Sequence, residues 1–214
     1  MLTSLAVRWH QLTQSLLPGE AARTAMYTQL AAVYQAPGRH YHTLSHIQAL
    51  LDATDEAAAQ LHDPEVVALA VWFHDAVYEP LRSDNEAKSA ELARAFLAAT
   101  SLSAERQARV AFLIERTHDH TQPQPPDDPD LLFFLDADLG ILGASEARYQ
   151  EYARQVRQEY RMVPGMLYRR GRRKVLQKLL AAPVLYQTPG FREQLDAAAR
   201  RNLAQELREL QAGR

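Results

Sequence analysis

The sequence predicts an all-α protein, and three observations carry that prediction. Nearly every long segment repeats its apolar residues at helical spacing, and no stretch sustains the two-residue alternation of a half-buried strand. Prolines, glycines and short polar residues fall between these segments, where helices start and stop. The third observation is residues 63–80, DPEVVALAVWFHDAVYEP, which read as a central helix with both ends marked. Asp63 can accept from the free N–H groups, Pro64 suits the first helical position, and Pro80 stops the helix. From 66 to 77 the stretch is apolar on nearly every side, which places it inside the protein. Yet it carries His74 beside Asp75. Burying a carboxylate next to an imidazole costs several kcal/mol unless a partner, often a metal ion, compensates.

Residues 5–17 predict a first helix, stopped by Pro18 and Gly19, and 20–34 a second, ended by Pro37 and Gly38. In GRHYHTLSHIQALLDA, Thr43 is a suitable N-cap for a third helix running to about residue 61. After the central helix, Ser83 or Asp84 starts a helix through 99, and Ser103 begins another reaching 117. The one substantial loop is 118–130, HDHTQPQPPDDPD, rich in proline and aspartate; its length suits a lid or a pocket rim. Asp127, Asp128 and Asp130 read there as solvated acids capping the next helix. Residues 131–142 resume an apolar helix around LDADLGILG. The segments 145–162, 165–180 and 191–212, rich in Arg, Glu and Gln, read as amphipathic outer helices. No repeat or domain boundary interrupts them. The expectation is one domain over 1–214, with a core of about 38–182 and the helices of 145–212 packed on it.

Composition narrows the function classes. With 214 residues, 47% hydrophobic and a net charge of −2, the chain has no general electrostatic grip on nucleic acid or acidic membranes. Zero cysteines exclude disulfides and thiolate metal sites, so a transition metal must be held by His and carboxylates. No segment approaches the roughly 20 apolar residues needed to span a bilayer. MLTSLAVRWHQLTQ lacks the basic region and long apolar run of a signal peptide, which makes the cytoplasm the expected compartment.

Four places combine buried surroundings with metal-ligating residue types. His46 sits near the start of the third helix, with Arg39, His40 and His42 just before it. His74 and Asp75 lie in the central helix, His118 and His120 follow a helix end, and Asp136 and Asp138 lie in LLFFLDADLGIL. Imidazole plus carboxylate without thiolate suits Mn, Fe, Co, Ni or Zn with open water positions. Asp136-Ala-Asp138 lacks the further oxygen ligands of a calcium loop. The run 168–174, YRRGRRK, reads as a solvated helix start, and Tyr149, Tyr152, Tyr160 and Tyr168 read as packing residues. Gly-rich phosphate loops and a serine nucleophile elbow are absent.

The order His, His-Asp, distant Asp resembles the HD superfamily of metal-dependent phosphohydrolases. More closely, YHTLSHI, WFHDAVY, DNEAKSAELA and FLDADLGILG are similar to a bacterial branch of HD-type phosphohydrolases, over most of the chain from about residue 38. The resemblance implies an HD-like helical bundle that hydrolyses a nucleotide or another small phosphomonoester with metal-activated water. It implies His46, His74, Asp75 and Asp138 as ligands of one divalent ion, Mg included, with Asp136 as the alternative last ligand or a partner fixing a ligand histidine. His118 and His120 fall where two-metal members carry extra histidines, but their spacing does not match that pattern. Asp75 and Glu86 are the expected catalytic residues, with Asp84 second to Glu86. Arg39, His42, Lys88 and His118 are expected to meet the phosphorylated substrate. A regulatory module that binds metal or nucleotide without turnover, and a di-iron HD-type oxygenase, are the alternatives. A homodimer through the outer helices is left open.

Overall fold

The computed structural model describes residues 4–212, which form ten α-helices and two short 3-10 segments, with no strand among them. The protein is all-α. The chain divides into two compact units, Met1–His118 and Asp119–Arg214. No helix among the described residues is long and apolar enough to cross a membrane.

The first unit contains α1 (Leu5–Thr13), α2 (Glu20–Tyr34), α3 (Leu44–Ala57), α4 (Pro64–Phe73), α5 (Asn85–Leu97) and α6 (Ala104–Arg116). Helix α4 is its centre, packed by α1, α3, α5 and α6. Seven of its ten residues are buried, so it has no solvent face to stabilise and depends on neighbours all round. Trp9 of α1 meets Trp72 edge-on at 5.3 Å and Phe73 at 6.0 Å, an arrangement that aligns ring edges with ring faces. At the N-terminus, Asp63 accepts from the Val66 N–H at 3.1 Å. Arg106 of α6 holds both oxygens of the same carboxylate, at 2.6 and 2.7 Å. Thr43 and Ser103 cap α3 and α6 as their sequences predict, accepting from the Ser45 and Arg106 N–H groups.

The far end of α4 departs from expectation. The helix stops at Phe73 instead of running to Pro80, so His74 is its C-cap and Asp75 lies in the turn beyond. The backbone groups that would continue it have other partners. The Ala76 N–H closes back on the Phe73 carbonyl at 2.9 Å, and the Val77 N–H donates to the Ser89 hydroxyl at 3.0 Å. Arg39 donates to the Asp75 and Ala76 carbonyls at 2.7 and 3.2 Å, which holds the turn beyond the helix from another part of the chain. Helix α1 also ends early, at Thr13, where the Leu16 and Leu17 N–H groups both turn back onto the Thr13 carbonyl.

The second unit contains α7 (Pro129–Asp138), a 3-10 segment (Leu139–Gly143), α8 (Glu146–Glu159), α9 (Gly165–Ala181) and α10 (Pro189–Gln211). Its core gathers Leu142, Tyr149, Leu176, Leu185, Tyr186, Ala199 and Leu203. Helix α10 runs along the 3-10 segment and α9. Asp128 caps α7 by accepting from the Leu131 N–H at 3.0 Å, so the helix begins at Pro129. Asp130 is therefore buried on a helix, not solvated in a loop. In the run 168–174, Arg170, Gly171, Arg173 and Lys174 are exposed, and Arg172 departs from the solvated reading, its side chain mostly enclosed and bonded to both oxygens of Glu206. Tyr149 packs on Tyr152 and Tyr160 on Tyr168, at 5.6 and 5.8 Å between ring centres.

Candidate metal centre

The start of α3 and the end of α4 bring three ligand atoms together. His46 sits in the first turn of α3, held by its N–H on the Thr43 carbonyl at 3.0 Å. Its Nε2 faces the Nε2 of His74 at 3.3 Å. Asp75 Oδ2 lies 3.1 Å from His74 Nε2 and 3.8 Å from His46 Nε2. The point equidistant from these three atoms is about 2.0 Å from each, the length of a bond from a first-row divalent ion to nitrogen or oxygen. An ion held there would be bound by His46, His74 and Asp75 together. His46, His74 and Asp75 form a group that can hold a metal ion.

The tautomer supports that use. His74 Nδ1 donates to the Val71 carbonyl at 2.9 Å, one turn back in α4, so in the neutral ring Nε2 presents its lone pair. Opposite it, His46 Nε2 offers either a proton or a second lone pair. Without a cation, a proton on His46 Nε2 faces the His74 lone pair; a cation would take that proton's place, with both rings presenting lone pairs to it. Both imidazoles are buried, His74 at 1% exposure, while the Asp75 side chain keeps 19% and opens the group to solvent. The donor set is two nitrogens and an oxygen, without sulfur, which fits a borderline or hard divalent cation.

Rings and a cation surround the group. Tyr41 packs against His46 at 5.0 Å, and His42 lies against Tyr78 at 4.3 Å. Arg39 lies 5.2 Å from the ring centres of both Tyr34 and Tyr78, while its Nη atoms bond the carbonyls of His42, Asp75 and Ala76. In this structure Arg39 supports the turn that carries Asp75.

The other expected site residues are placed as follows. Glu86 Oε2 bonds His118 Nδ1 at 3.1 Å, with His118 more than half exposed. Lys88 makes an exposed pair with Glu91 at 2.7 Å. Asp138 belongs to the second unit, where its Oδ2 bonds His120 Nε2 at 3.0 Å. Asp136, buried, has donors on both oxygens: the Gln187 N–H on one, the Thr188 N–H and hydroxyl on the other, each at 2.7 Å. Burial raises the pKa of this carboxyl against the pull of the three donors. Asp136 thereby ties the start of α10 to α7.

Sequence reasoning passed over the Val71 carbonyl, which is invisible to any pattern of side chains. It also passed over Tyr41, Tyr78 and Ser89. The two tyrosines are the first residue of YHTLSHI and the last of WFHDAVY, and an aromatic in each His-bearing motif was the available signal. No family model, curated protein or solved structure matches the chain.

Proposed function

We propose that the protein is a metal-dependent phosphohydrolase of HD type, with His46, His74 and Asp75 holding a divalent ion and a nucleotide or other small phosphomonoester as substrate. The observation that carries the proposal is the triangle of ligand atoms, whose equidistant point lies at bonding length from all three. The resemblance of the motifs around those residues supplies the reaction class. A divalent ion supplies two things to such a reaction: it lowers the pKa of a bound water and polarises a phosphoryl oxygen.

The chain's own residues have separable tasks in this reading. Val71 fixes the His74 ring, and Arg39 fixes the turn behind Asp75, so two ligands are set before any ion arrives. Ser89 of α5 bonds the N–H and the carbonyl of Val77, anchoring α5 to the segment that follows Asp75. Glu86 lies three residues earlier on that helix and shares a hydrogen bond with His118. In this reading Glu86 passes a proton to the leaving group.

The test is metal content by mass spectrometry on wild type, His74→Ala and Asp75→Ala, purified in parallel without chelator, followed by phosphate release from a panel of phosphomonoesters. The expected result is about one ion per wild-type chain, lost in both variants, with release that depends on added Mn, Co, Ni or Mg. Empty wild type, with no rise in Tm on adding metal, would overturn the proposal and leave His74 and Asp75 as core residues. A bound ion with no release from any substrate favours the regulatory module.

A further inference from the structure

Charge is segregated along the chain. Residues 160–192 hold eight Lys and Arg and no Asp or Glu, whereas the rest holds 16 basic against 26 acidic residues. Three of the eight are engaged: Arg172 with Glu206, Lys178 with Asp119, and Arg192 with the Tyr186 and Gln187 carbonyls. Arg161, Arg169, Arg170, Arg173 and Lys174 make no ion pair among the described residues. Among these cations stand three large apolar side chains in the open. Met162 is 84% exposed in the turn before α9, and Met166 and Leu167 are 75% and 58% exposed in its first turn. Tyr168, Arg172 and Leu176, spaced four apart, turn inward, so Met166, Arg170 and Lys174, also four apart, share the outward face.

We propose that this corner docks on an anionic lipid surface, with Met162, Met166 and Leu167 entering the headgroup–acyl boundary and the five cations meeting the headgroup phosphates and carboxylates. Each alternative occupant leaves part of the corner unexplained. Single-stranded nucleic acid calls for exposed aromatic platforms, and Tyr168 is buried with Tyr160 against it. Duplex phosphates have no use for the methionines and the leucine. A second copy meeting this face by twofold symmetry would set the same unpaired cations against each other. A stable protein interface needs about 800 Å² on each partner around a dry core, more than three protruding side chains build. A lipid surface needs only protruding apolar groups ringed by cations. The overall charge of −2 does not oppose this, because charges beyond about 8 Å are screened at physiological salt and the local surface decides.

The test is flotation of the full chain with vesicles of phosphatidylcholine alone or mixed with phosphatidylserine, at low and high salt. Wild type is compared with Met166→Ser/Leu167→Ser and Arg170→Glu/Lys174→Glu, all exposed positions, each checked for an unchanged Tm. Wild type should float with the mixed vesicles only, and each variant should bind roughly tenfold less or weaker still. The proposal is overturned by no flotation with mixed vesicles, by equal flotation with pure phosphatidylcholine, or by binding that survives loss of the apolar pair. Light scattering that shows a wild-type dimer dissolved by Met166→Ser/Leu167→Ser would also overturn it, assigning the corner to a second copy. Polyglutamate bound as tightly by the apolar variant as by wild type would assign it to an acidic partner instead.

Discussion

Arg172 donates through Nε and Nη2 to the two oxygens of Glu206, at 2.7 and 2.9 Å, and the Tyr149 hydroxyl donates to the same carboxylate. Both charged side chains are 9% exposed. Burial, with the nearby Glu206 charge, pushes the Tyr149 hydroxyl far above the ordinary phenol range, so it remains a donor at any working pH. Removing one partner of such a pair strands the other charge, whereas removing both costs little. Arg172→Met should therefore lower the unfolding free energy by about 3–5 kcal/mol, and Arg172→Met/Glu206→Leu should recover part of that loss in urea denaturation, the remainder being the Tyr149 hydroxyl left without its acceptor. Equal losses in the single and double variants would show that shape, not the stranded charge, sets the cost. Nothing near Arg172 in sequence announces this pair, because its partner is 34 residues away. His74 and Asp75 were legible for the opposite reason: adjacent polar residues in an apolar run conflict locally, and the conflict is visible without knowing the fold.

At the level of elements, the 3-10 segment and α10 approach each other through Gly143. A Cβ there would lie 2.5 Å from the Leu195 Cβ and 3.0 Å from its backbone atoms. Helix α10 would have to move away, and overpacking of this kind costs about 1–3 kcal/mol. Gly171, on the exposed part of α9, has nothing within 4 Å of its Cβ position. Thermal melts should thus give opposite signs: Gly143→Ala lowers Tm, and Gly171→Ala raises stability by about 0.5–1 kcal/mol through helix propensity. A neutral Gly143→Ala would mean that α10 is not held close. Helix starts were readable because an N-cap and the N–H it accepts lie two or three residues apart, as at Thr43, Asp63, Ser103 and Asp128. Asp84 shows the limit of that reading. It holds the cap position of α5, but its carboxylate accepts from Arg82 at 2.8 Å twice over and makes no cap bond.

Taken whole, each unit carries a carboxylate that contributes to the loss of its stability in acid. In Asp63, burial acts to raise the pKa, but the Arg106 guanidinium and the Val66 and Glu65 N–H groups outweigh it and hold the carboxyl below its usual range. In Asp119, burial is likewise outweighed, by Lys178 and by the hydroxyl and N–H of Thr121. Both groups are ionised more readily folded than unfolded. Their stabilisation is complete above the ordinary aspartate value of 3.8 and is lost as pH falls through the depressed folded values. The urea midpoint should hold steady from about pH 7 to 5 and drop below about 4. Arg106→Ala and Lys178→Ala should each lower the plateau and flatten the acid fall; an unchanged acid slope in both would remove these carboxyls from the account.

The sequence by itself determined the all-α class, the register and starts of most helices, and the residue types from which a metal group can be built. Those features rest on interactions within one or two turns, where periodicity and capping act. The tertiary structure decided where α4 stops, that Arg39 and Arg172 are internal struts, and that two Nε2 atoms and a carboxylate oxygen meet at bonding length from one point. Backbone carbonyls and N–H groups carry no sequence signature, and a distant side chain can claim them only once the chain has folded. Ser89 and Arg39 do so at the end of α4, and that capture sets Asp75 beside His74 and His46.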